Sequence, residues 1–363
     1  MKACYIHVPF CRDICSYCDF TRCRYHAGLC DKWLFRVHQE LDEKLKGTRL
    51  ETMYIGGGTP SALSEEQLER LLSYVAPYTK TVLEYTMEAN VESLSDQKLE
   101  IMKSYGVNRI SLGVQTLQPK LLKCIRRAHS REDVLHKLDR IHNYGIHNVS
   151  IDLIYGLPGQ TMQEWKDDLL DIVTNFDIQH ISLYSLTIEE HSEFGRNHVQ
   201  SADETLEADM FEYAIQILEE HGFEHYEISN FAKEGKRSKH NQMYWNYEDF
   251  VGVGCGASGK CEHRRYDNTK NLQTYFDFGE SSTYIELEKE DEMFETIMMG
   301  LRMKDGVSLS EFELQFQESI CKCYKDAVDK HVKAGLLILS DGYLKTSKQG
   351  MLLLNDILVD FLD

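Results

Sequence analysis

The chain is poor in the features that would place it in a membrane or on a nucleic acid. No apolar stretch approaches the roughly 18–20 residues of a spanning helix. The opening MKACYIHV has no basic segment leading into a long apolar run, so no secretory signal is expected. Positive charge is scarce: 40 Lys and Arg stand against 59 Asp and Glu, a formal charge of -19. That balance argues against nonspecific nucleic-acid binding and against broad attraction to an anionic membrane, while leaving room for a local basic patch. A soluble cytoplasmic protein is the expectation. A disulfide scaffold is also excluded on balance. The 11 cysteines are an odd count, and without an export signal they fit reduced thiols and a metal centre better. Cys4, Cys124 and Cys255 lie in apolar segments and read as small buried side chains.

What is present is a repeating pattern. Six strand-like runs recur, most followed by a helical one: CYIHV (4–8), TMYIGGG (52–58), EYTMEA (84–89), RISLGVQ (109–115), VSIDLIYG (149–156) and HISLYSL (180–186). Between them SEEQLERLLSYV (64–75) and SDQKLEIMKSYG (95–106) open on capping serines, and Gly106 ends the second. Strand then helix, repeated, means α/β architecture with a parallel sheet and right-handed crossovers. Six units, without two more to close an eight-fold ring, predict an incomplete (β/α)6 barrel with its chemistry at the strand C-terminal ends.

After residue 200 the pattern changes. A long amphipathic helix comes first, then YEISNFA (226–232) as a short extended piece, then a loop rich in charge and aromatics. From about 287 the chain reads as helices followed by a hairpin around SDG and a closing helix MLLLNDILVDFL, a mostly helical, winged-helix-like domain. The expected division is 1–200 partial barrel, 201–286 barrel extension and 287–363 C-terminal domain.

The chemistry is concentrated in YIHVPFCRDICSYCDF (5–20), where Cys11, Cys15 and Cys18 follow the first strand as CxxxCxxC. Structural zinc normally takes four protein ligands, and catalytic zinc three plus water. A cubane iron–sulfur cluster held by three cysteines would leave one iron without a protein ligand, a vacancy for a small molecule. Further candidates follow at strand ends: the glycine run in MYIGGGTPS (53–61), Glu88 in TMEAN, Gln115 in SLGVQT, Arg127 in CIRRAHS and Asp152 in SIDLIYGLPGQT.

These motifs, in this order, resemble the radical S-adenosylmethionine (SAM) enzymes, and within them the oxygen-independent coproporphyrinogen oxidase-like group. The resemblance implies that Cys11, Cys15 and Cys18 hold a [4Fe–4S] cluster whose open iron is chelated by the methionyl amine and carboxylate of SAM. It implies that Gly57, Gly58 and Thr59 meet the amino group, that Glu88 contacts the methionyl moiety, and that Gln115, Arg127 and Asp152 complete the SAM pocket. Arg127 is preferred over Arg126 on the family pattern alone. Tyr5 and His7 flank the cysteine loop as an aromatic and a histidine do in the family; strand-end packing is the competing reading of both.

Two departures decide the subgroup. Bona fide oxidases of this group carry a further cysteine two residues after the third and an extension ahead of the cluster motif; here position 20 is Phe20 and the loop begins at residue 11. HNQMYW (240–245) instead matches a motif that the heme-chaperone group uses in heme binding. His240 offers a nitrogen to heme iron, Tyr244 and Trp245 flat apolar surface, and Met243 a second ligand or mere packing. The competing reading is loop-anchoring aromatics beside a solvent histidine. Relatives often carry a histidine where this chain has Ser258. The resemblance therefore implies a chaperone that binds heme or a related porphyrin and passes it to apo-hemoproteins, with a reductant for the cluster and SAM cleavage available to it. A homodimer is credible, and any membrane contact would be peripheral. The alternatives are decarboxylation of coproporphyrinogen III, or a radical SAM enzyme of other substrate.

Overall fold

The computed structural model describes residues 1–278 and 282–362. Six parallel strands form its centre: β1 (Ala3–Val8), β2 (Thr52–Gly57), β3 (Glu84–Asn90), β4 (Arg109–Gln115), β5 (Asn148–Tyr155) and β6 (His180–Ser185), paired in that order. In β1 the alternation is plain. Cys4, Ile6 and Val8 are fully buried against the outer helices, while Tyr5 and His7 face the barrel's polar interior. The helices between strands start where their caps dictate: Ser64 and Gln67 form a reciprocal capping box, and so do Thr161 and Glu164. Gly106, at φ +87°, ends Asp96–Ser104.

The barrel is incomplete, as expected. Beyond β6 the sheet continues into an antiparallel hairpin, Glu224–Glu227 and Asn230–Ala232. On the other side Phe250–Val253 runs parallel to β1, followed by the antiparallel strands Ser258–Cys261, Arg264–Asn268 and Ser282–Glu286. The C-terminal domain has its own core of Ile297, Leu301, Phe312, Leu344 and Ile357. Its hairpin, Leu337–Ser340 with Tyr343–Thr346, turns through Asp341 and Gly342, both at positive φ.

Four local expectations are corrected. YEISNFA is not one extended piece but the tight hairpin just described. The expected aromatic loop contains the helix Lys239–Trp245, because Ser238 caps Asn241 and the Glu84 carboxylate accepts from the Lys239 and His240 N–H groups at 2.9 Å each. The closing helix breaks into Lys348–Leu352 and Leu354–Val359. Cys124 is exposed rather than buried, whereas Cys4 and Cys255 are buried.

Candidate functional site

Strand C-terminal ends and the cysteine loop enclose a cavity of about 420 Å³. Cys11, Cys15, Cys18, Gly57, Gly58, Thr59, Glu88, Gln115, Arg127 and Asp152 all line it, so the three cysteines and the expected SAM-pocket residues meet there. The loop is held by its ends. Cys11 pairs with Arg24 across a short parallel ladder, and the His7 Nε2 sits 2.7 Å from the Thr21 carbonyl. A carbonyl can only accept, so Nε2 carries the proton and Nδ1 accepts from the Tyr5 hydroxyl at 3.0 Å. Burial lowers the His7 pKa, which suits this neutral tautomer. Tyr5 therefore braces the site from behind and lines a second cavity, not this one.

The three glycines are required by crowding. A Cβ at Gly56 would lie 2.7 Å from the Glu88 carboxyl, one at Gly58 2.8 Å from the Val8 carbonyl oxygen, and one at Gly57, where φ is +110°, 2.5 Å from the His7 ring. Close approach is thus to the protein's own groups. The Gly57 N–H donates to Glu88 at 3.0 Å, and the Tyr54 hydroxyl to its other oxygen at 2.8 Å. Burial still dominates, and the Glu88 pKa is raised to about 7. Asp152, accepting from Ser111, is raised by burial too. Gln115 sits at positive φ (69°) beside a register shift between β4 and β5, an uncommon conformation for a residue with a Cβ, and it turns the strand end at the cavity.

Arg127 rather than Arg126 points inward. Arg126 is exposed and pairs with Glu193 at 2.6 Å. The Arg127 guanidinium contacts both Glu92 oxygens (3.0 and 3.1 Å), Asn90 Oδ1 (3.1 Å) and the Gly113 carbonyl (2.7 Å). Glu92 also accepts from the Ala128 N–H and from His129 Nδ1. Burial opposes ionisation of Glu92, but the His129 hydrogen bond and the Arg127 charge prevail and hold its pKa down to about 2. Asn90, Glu92 and His129 were not singled out from sequence. Asn90 is the last residue of β3, which ends in the cavity, and Glu92 lies two residues beyond it, a positional signal that was available.

The donor set fits the group the motif implies. Three thiols stand in one cavity, and Thr59 Oγ1 donates to Cys11 Sγ at 3.5 Å. Burial pushes the Cys11 thiol up to about 12, so a cationic centre is what would hold it as thiolate. Among the described residues, no three His, Cys, Asp or Glu side chains form a single-ion site. The remaining lining offers Glu88 and Asp152 as acceptors for an ammonium group and for hydroxyls, in a volume within the roughly 300–1,000 Å³ of small-molecule sites.

A wider cavity of about 1270 Å³ adjoins the first and shares Asp19, Phe20, Gly57, Glu88 and Glu189 with it. From there it passes Tyr5 and His7 to Tyr244 and Trp245. The Trp245 indole N–H has no hydrogen-bond partner among the described residues. His240 lines neither cavity. It is 1% exposed, at the opposite end of the barrel from the cysteines. Nδ1 is 2.9 Å from the hydroxyl of Thr52, the first residue of β2, and Nε2 is 2.7 Å from the Tyr244 hydroxyl. It is neither a solvent histidine nor on a loop: its helix plugs the barrel floor. Asn241 and Met243 do not line the wide cavity either.

The partial barrel and the three-cysteine cavity at its mouth define a radical SAM protein. A model of the radical SAM superfamily matches residues 5–172, and one of the HemN C-terminal domain matches residues 287–353. The heme chaperone HemW of Lactococcus lactis is 38% identical over 367 residues, spanning 99% of this chain and 96% of that protein. The heme chaperone HemW of Bacillus subtilis is 37% identical, spanning 100% and 99%. The coproporphyrinogen III oxidase HemN of Escherichia coli, a radical SAM enzyme, superposes with a TM-score of 0.88 at 20% identity, over 99% of this chain and 90% of its own, which shows the shared fold. The chain belongs to the HemW family of radical SAM proteins.

Proposed function

We propose that this protein is a heme chaperone: it binds heme in the wide cavity and passes it to apo-hemoproteins, with a [4Fe–4S] cluster and SAM in the cysteine cavity. When bound, that pair supplies one-electron chemistry; the protein's residues hold and orient it. Cys11, Cys15 and Cys18 are the cluster ligands in this reading, and Glu88, Gln115 and Asp152 face SAM. Arg127 is clamped by Glu92 and Asn90 and shapes the pocket wall.

The observation that carries the reading is the wide cavity itself. Its volume exceeds that of an ordinary ligand site, and it joins the cysteine loop to the two aromatics of HNQMYW. Its charge separates heme from the alternative. Six carboxylates line it against three cations, Lys260, Arg265 and Lys270. Lys260 is paired with Asp249, and Arg265 with Glu295. Such a lining disfavours the four carboxylates of coproporphyrinogen more than the two of heme. The full-length similarity to proteins named heme chaperones supports the same choice. Recipients, a reductant, a cytoplasmic location and peripheral membrane contact are part of the proposal.

The test is a heme titration of anaerobically reconstituted protein, followed by the Soret band, beside a Trp245→Ala variant. A saturable shift weakened in the variant supports the reading. Turnover of coproporphyrinogen without saturable heme binding would overturn it in favour of the oxidase.

A further inference from the structure

A third cavity, of about 560 Å³, lies on the outer side of the cysteine loop. Asp13 and Ile14, between the first two cysteines, line both it and the cysteine cavity, as does Arg127, so the cysteine loop and Arg127 together stand between the two. Its wall is basic in an acidic protein: Arg24, Lys123, Arg126 and Arg127 stand against the single carboxylate Asp13, four against one, where the whole chain carries -19. Arg127 is neutralised by Glu92 and Arg126 is paired with Glu193. Arg24 and Lys123 are exposed and in no ion pair among the described residues. Arg24 is the cross-strand partner of Cys11.

We propose that this basic patch is the docking surface for the electron donor, a small acidic redox protein, and that it selects the donor's approach to the cysteine loop. The proposal rests on the reading of the three cysteines as ligands of an electron-accepting cluster. The argument is one of field and place. An acidic partner is repelled on balance by a chain carrying -19 and drawn to the unpaired Arg24 and Lys123, so electrostatics steers it to this side of the cysteine loop. In the step served, the donor's reduced cofactor loses one electron and the cysteine-held centre gains it. No atom passes between the proteins.

The probe is a bacterial flavodoxin, an acidic protein carrying flavin mononucleotide, with binding to the full-length protein measured by calorimetry. Lys123→Glu with Arg126→Glu is compared with wild type and with Lys322→Glu, an exposed position in the C-terminal domain. At low salt the double variant should bind about tenfold more weakly, and wild-type affinity should fall with added salt while that of the variant barely changes. Lys322→Glu should behave as wild type, and all three proteins should have the same circular dichroism. The rate at which reduced flavin is oxidised by the cluster-loaded protein should drop in parallel. Unchanged affinity and salt dependence in the double variant would overturn the proposal. So would loss of binding to phosphatidylglycerol vesicles with flavodoxin binding intact, which would make the patch a membrane contact. Iron analysis reports separately on the cysteines: binding at the patch without cluster iron would sink the cluster reading and leave the docking surface standing.

Discussion

Replacing His240 by alanine distinguishes a histidine that holds the barrel floor from one that ligates iron. The imidazole joins Thr52, fully buried, to the Tyr244 hydroxyl, and packs 5.1 Å from the Tyr54 ring and 5.0 Å from that of Tyr244. Its loss leaves the Thr52 hydroxyl without its bond to the ring, about 1 kcal/mol, and frees the Tyr244 hydroxyl, which can partly rehydrate from the wide cavity. The emptied space adds about 1–3 kcal/mol. A total of about 2–4 kcal/mol is a large share of the roughly 5–15 kcal/mol that holds a domain folded. Urea unfolding should show that loss in His240→Ala. His240→Asn, which can still reach Thr52, should recover about half of it. Because Tyr244 and Trp245 are the motif residues that face the cavity, His240→Asn should retain a saturable Soret shift. Variants that are both as stable as wild type and both unable to bind heme would refute this reasoning and return His240 to the iron.

Acid should destabilise the protein in a way that Glu88 moderates. Burial lowers the His240 pKa to about 3, so the unfolded chain takes up a proton near pH 6.5 that the folded one does not; this stability is complete above pH 6.5 and declines as pH falls towards 3, by up to about 1.4 kcal/mol per unit. Glu88 has the opposite sign: raised to about 7, it stabilises fully below pH 4.5, an effect lost as pH rises through 7. Glu88→Gln should therefore steepen the fall in stability between pH 6.5 and 4.5 in SAM-free protein; an unchanged slope in denaturant midpoints would contradict the assignment. Gly57→Ala, forced to φ +110° against the His7 ring, should lower the melting temperature and loosen the cysteine loop, read as faster amide exchange at Thr21. Serine at any one of Cys11, Cys15 and Cys18 should remove most cluster iron, while Cys124→Ser, at an exposed thiol outside the site, should remove none.

The barrel was legible because its signals are local. Six β-rich runs with capped helices between them fall within a residue or two of the observed strands, since burial on the outer face of each strand and caps at each helix act over a few residues. The cysteine cavity was legible for a related reason: parallel strands bring their C-terminal ends together, so residues at those ends must meet. HNQMYW was misplaced because its helix is decided at long range. Glu84 lies 156 positions before His240, and it is this carboxylate that satisfies the helix's first N–H groups. The Arg127 clamp escaped for the same reason, since Glu92 and His129 are brought together only by the fold.

One consequence follows from the walls the two cavities share. Glu88 touches both, as do Gly57 and the largely exposed Phe20. An ammonium group bound in the cysteine cavity would place positive charge against Glu88 and favour its carboxylate, and that changes the charge of the wide cavity's wall by about half a unit at neutral pH, where a group with pKa about 7 is half ionised. The adjoining ligand then meets a more acidic wall. With SAM in the cysteine cavity and heme in the wide one, as proposed, linkage would have each alter the other's affinity by the same factor. The residue placed to couple them is Glu88, whose carboxyl lies against Gly56 and accepts the Gly57 N–H, and this gives the glycine run a role beyond the turn it makes.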